Sequence, residues 1–184
     1  MRDEVFRIYR HVAYLICRYL IWGGKYRPSR MFSRGRDPDV IFSTDETLYF
    51  RCKRDWLDNN GQKIKPANIP FPNQSVNRQK YSKPKDVLIP NDEDKTKQWI
   101  FWGVARVFVR EIPEGKETQG STSSKKISYK FGVAHDPEDD NYGHSEIRVY
   151  KDGVEARKVN SQGVKKAYRT DLSFKSRLIV KPRI

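Results

Sequence analysis

The chain has 184 residues, 36% hydrophobic and 12% aromatic, which suits one folded domain with a real core. Two cysteines, Cys17 and Cys52, without CxxC spacing exclude a disulfide framework and a zinc knuckle, and fit a reducing, intracellular and cytoplasmic setting. The net charge of +14 lies at the two ends: residues 1–36 hold nine Lys/Arg against Asp3 and Glu4, residues 151–184 hold ten against Asp152, Glu155 and Asp171, and the middle cancels.

Residues 3–22, DEVFRIYRHVAYLICRYLIW, predict an amphipathic helix, because Val5, Tyr9, Val12, Ile16, Tyr19 and Leu20 recur at three- and four-residue steps. Asp3 and Glu4 suit its N-terminal end, and Gly23-Gly24 supplies a stop. Its apolar run is interrupted by Arg7, Arg10, His11 and Arg18, so neither a signal peptide nor a membrane span is expected. The helix reads as packed on its own domain with a solvated basic face. Its wide apolar arc also fits docking onto a protein partner.

Next comes KYRPSRMFSRGR, residues 25–36, with five positive charges, no acid, and Tyr26 and Phe32 interleaved. Arginines fork onto phosphate and rings stack on bases, so Arg27, Arg30, Arg34 and Arg36 with Tyr26 and Phe32 form the best short nucleic-acid signature in the chain. The competing reading is a flexible basic linker.

From there β-signals dominate. Residues 40–42 and 47–56 predict strands, and DNNGQK predicts a turn. Residues 66–90, with five prolines, predict a meandering loop that carries Ser75, Asn77 and an exposed Arg78, with a short helix near Pro84. Residues 98–110 are apolar on both faces and predict a central strand, in which Gly103 marks a bulge or a close approach. Residues 113–126 read as a polar connection; Gly115 and Gly120 invite a phosphate loop, but no lysine stands directly after the second glycine and a strand, not a helix, comes next, which rejects it. The tail predicts a short turn or helix and then a closing strand at 178–180.

Between strands at 126–134 and 145–153 lies AHDPEDDNYGHSEIRVY, with two histidines and five acids. If the strands pair, the apolar pattern selects the register in which His135 faces Ser145, Val133 faces Ile147 and Phe131 faces Val149. The two rings then point to opposite faces, which argues against a two-histidine metal site unless a bulge re-aims one ring. Asp136, His144 and Glu146 gather on the polar face, with Arg148 beyond. Such a histidine serves as a general acid/base, and Arg148 or Arg78 would steady phosphate charge. The oxygens of Asp136, Glu138, Asp140 and Asn141 match no calcium-loop spacing. A plain polar hairpin end is the simpler reading.

The expected fold is α+β, an N-terminal amphipathic helix packed on a mainly antiparallel β-sheet or small barrel. Its plan is helix 1–24, basic linker 25–38, and a β-rich domain 39–184 with a basic tail. Counterion release makes nucleic acid the leading partner, DNA or RNA, bound by backbone or as single strands. Lys165, Lys166 and Arg169 supply a second line of phosphate contacts. The competing expectations are a ribonuclease-like enzyme or toxin using His144, and a non-enzymatic subunit docked through helix 3–22. No cofactor is expected.

Overall fold

The computed structural model describes residues 37–88, 102–119, 126–138 and 141–182. Eight strands form one antiparallel sheet: β1 Thr47–Cys52, β2 Gln74–Arg78, β3 Gly103–Phe108, β4 Gly115–Gln119, β5 Lys126–His135, β6 His144–Lys151, β7 Val154–Glu155 and β8 Arg177–Val180. Their order is β4-β5-β6-β2-β1-β3-β8, with the short β7 also paired to β6. Among the described residues, one α-helix, α1 Gln162–Lys175, packs on the sheet.

This corrects the expected fold in two respects. The helix on the sheet is C-terminal, whereas the predicted helix at 3–22 lies outside the described residues. The sheet is also an open ribbon of strands ending at β4 and β8, not a barrel. The sequence signal for α1 is modest: Ser161 caps the amide of Val164, and Val164, Tyr168 and Leu172 recur at four-residue steps as its buried stripe.

Strand alternation sends Leu48, Phe50 and Cys52 of β1 toward that stripe, where they meet Val76, Ala105, Val107, Ile147, Tyr168 and Leu172. On the opposite face, Tyr49 and Val104 pack with Val87, Leu88 and Trp102. β1 and β3 are thus covered on both sides, and β3 lies one strand in from the edge. Burial pushes the Cys52 thiol up to about 12, which leaves it a core group and no nucleophile.

Gly103 is the close approach that its position suggested. A Cβ there would stand 2.6 Å from the Val180 carbonyl oxygen and 2.6 Å from Pro182 Cδ, and the β3–β8 register shifts one step later, between Val104 and Ala105. Gly103→Ala is therefore expected to destabilise the domain by about 1–3 kcal/mol. Hydrogen exchange should quicken first at residues 177–180; unchanged protection there would contradict the packing argument.

Three other expectations are corrected. Residues 40–42 form no strand; Val40 and Ile41 are 79% and 76% exposed on an extended strap that precedes β1. Residues 74–78 are the strand β2 and not a loop, and Arg78 is fully buried. The polar connection at 113–126 contains β4, which pairs with β5 from Gly115↔Lys130 to Gln119↔Lys126.

Arg78 explains the strap. Its side chain points into the core side opposite Leu48, where a lone guanidinium would be prohibitively desolvated. Each of its three nitrogens is therefore engaged. Nε and Nη2 each reach Glu46 at 2.8 Å, Nη1 and Nη2 donate to the carbonyls of Asp39 and Ile41, and the Phe42 ring centroid lies 3.8 Å from the guanidinium carbon. Asp39 also accepts from Lys80 at 2.7 Å and from the Tyr81 hydroxyl.

Candidate functional site

The hairpin β5–β6 forms in the register set by the apolar pattern: His135 opposes Ser145, Val133 opposes Ile147 and Phe131 opposes Val149. The two histidines consequently serve different faces. His135 is a buried structural ring. Its Nδ1 accepts the Asp39 amide at 2.7 Å, Nε2 donates to the Tyr142 carbonyl at 2.5 Å, and Tyr81 stacks on it with centroids 5.7 Å apart.

His144 lies on the face turned away from α1. Its Nδ1 is 2.6 Å from the Asp136 carbonyl oxygen. A carbonyl only accepts, so Nδ1 carries a proton, and in the neutral ring Nε2 presents its lone pair. That lone pair meets the Ser75 hydroxyl at 3.0 Å, and Glu138 Oε1 stands 3.7 Å from the same nitrogen. Nearby, Asn77 and Asn141 exchange amide hydrogen bonds at 3.4 and 3.2 Å and hold the connection down.

The expected Asp136–His144–Glu146 side-chain cluster is corrected by these distances. The carboxylates turn to Arg148 instead: Asp136 at 2.6 Å, Glu146 at 2.9 Å and Glu155 at 3.1 Å. A permanently charged guanidinium with five donors outcompetes a neutral imidazole for them. Arg148 is thereby committed to three acids, and Arg78 is sealed in the core, so neither stands ready to hold a phosphate.

Sequence reasoning named Ser75 but placed it on a loop and gave it no link to His144. It reaches His144 only because β2 lies beside β6, with Ser75 opposite Glu146 and Asn77 opposite His144. Nothing local to QSVNR announces that pairing. The weak signal was its strand-like alternation, with Gln74 and Val76 on one side and Ser75 and Asn77 on the other.

A second constellation surrounds the start of α1. Because Val164, Tyr168 and Leu172 face the core, Lys165 and Arg169 flank the buried stripe and Lys166 projects outward. With Arg157 and Lys158 from the preceding loop, Lys165 borders an open groove of about 480 Å³ whose wall is built by Phe71, Pro72 and Val159. Lys116 of β4 also comes near, its Nζ close to Gly163. Among the described residues, no acid pairs with Arg157, Lys158, Lys165, Lys166 or Arg169. Tyr26, Arg27, Arg30, Phe32, Arg34 and Arg36 lie outside the described residues.

No family model, curated protein or solved structure matches this chain. Among the described residues, no group of three His, Cys, Asp or Glu side chains is placed to hold a metal ion, and no helix is long and apolar enough to cross a membrane.

Proposed function

We propose that the protein binds nucleic acid, by its backbone or as single strands, through the basic groove at the start of α1. The observation that carries this reading is charge segregation. Asp136, Glu146 and Glu155 are gathered by Arg148, and Asp39 and Glu46 by Arg78 and Lys80, whereas the five cations from Arg157 to Arg169 have no acidic partner among the described residues. Arg157, Lys158 and Lys165 on the groove, with Lys166 and Arg169 beside it on α1 and Phe71 in its wall, suit phosphates and a stacked base. No groove-reading motif stands among the described residues, so recognition of backbone over sequence is the expectation.

The test is fluorescence anisotropy with labelled single- and double-stranded DNA and RNA across a salt series. The comparison is with Lys165→Gln/Lys166→Gln/Arg169→Gln. If the three side chains contact phosphate, the logarithmic salt slope falls by about 2–3 units, roughly 0.7–0.9 for each contact removed. Binding by this variant indistinguishable from wild type, or no binding by wild type even at low salt, overturns the proposal.

Strand cleavage at His144 is the second reading, and the local charge works against it. Asp136, Glu138, Glu146 and Glu155 outnumber Arg148 around the ring, so a phosphodiester approaching it meets net repulsion.

A further inference from the structure

The geometry points to Ser75 and His144 as a nucleophile–base pair for acyl transfer to water, with a neutral or cationic ester or thioester as substrate, a second activity separate from the basic groove. Three observations meet here. The hydroxyl and Nε2 are in hydrogen-bond contact at 3.0 Å. The opposite ring nitrogen is fixed as the donor by the Asp136 carbonyl at 2.6 Å, which sets the tautomer a general base needs. The Glu138 carboxylate lies 3.7 Å from Nε2, where positive charge develops when the ring takes a proton. Ser75 is half-buried, on the sheet face opposite α1.

The same carboxylates decide the substrate class. An anionic acyl group or a phosphodiester is repelled, whereas a neutral or cationic ester is not. In the first step Ser75 Oγ bonds to the acyl carbon while Nε2 takes the hydroxyl proton. The adduct then collapses, and the leaving alcohol or thiol departs with that proton. Water follows: Nε2 deprotonates it, its oxygen attacks the acyl-serine, and the acid is released as Ser75 regains its hydrogen. Net, one ester and one water give one acid and one alcohol, or one thiol for a thioester.

The test uses the full chain with diisopropyl fluorophosphate, a neutral phosphorylating probe of activated serines, followed by intact mass and peptide mapping. One adduct at Ser75 is expected, absent in Ser75→Ala and slowed about 100-fold or more in His144→Gln, the scale of general-base assistance. Glu138→Gln, an exposed change that spares the fold, is expected to slow labelling without abolishing it. No adduct at Ser75 of the folded wild type overturns the proposal without any variant. Labelling of His144→Gln or Glu138→Gln at the wild-type rate overturns it as well.

Discussion

Arg78→Met is expected to lower unfolding free energy by about 3–5 kcal/mol, the effect of removing one partner from a buried ion pair. The side chain is inaccessible to solvent, and its loss leaves Glu46 without its two-pronged partner and two carbonyls without donors. The double variant Arg78→Met/Glu46→Leu should recover part of the loss, because it removes the stranded charge along with its partner. Urea unfolding of the three chains checks both statements. A pH series extends the argument. Burial alone would raise the Asp39 carboxyl, but hydrogen bonds from Lys80, Tyr81 and the Ile41 amide, with the Arg78 charge, hold it well below the usual carboxylate range. Its folded value is depressed, so its contribution is complete above about pH 4 and drains away as pH falls further. Asp39→Asn should flatten that acid limb.

The second large effect is at Tyr168, and its sign depends on what is removed. The ring is fully buried against Phe131 and Phe71, with centroids 4.9 and 5.4 Å away, so Tyr168→Ala should lose about 3–5 kcal/mol. The hydroxyl finds no partner among the described residues, and burial pushes the phenol up. Tyr168→Phe deletes that unsatisfied oxygen at unchanged ring packing and should gain about 1 kcal/mol. Thermal unfolding of the pair separates the ring's role from the oxygen's; destabilisation by the Phe variant would mean that the oxygen has a partner after all.

What the sequence revealed follows from how far each signal reaches. The β5–β6 register was legible because two neighbouring strands share one apolar alternation, Phe131 and Val133 against Val149 and Ile147. The close approach at Gly103 was legible because a glycine inside an apolar strand is locally anomalous. β4 was hidden, since GKETQ has the composition of a loop and becomes an edge strand only through β5. Arg78 was misread for a related reason: nothing beside it in the chain says that Asp39 and Glu46 will enclose it. The site suffered in the same way. His144 was found from its position, but its partner Ser75 comes from a strand that joins only in the folded sheet.

The strand order also has a kinetic meaning. β5 and β6 are joined by a short connection and close against each other locally, whereas β6 must then receive β2, and β3 must receive β8, from distant parts of the chain. Closing long loops takes entropy before any contact rewards it, so these pairings are the slow ones. The β5–β6 hairpin is thus the natural nucleus, and its free edge the template on which β2 docks. Ser75 meets His144 only at that docking step. The same event brings Arg78 to the Gly143 carbonyl, beside the residues its strap will later cover.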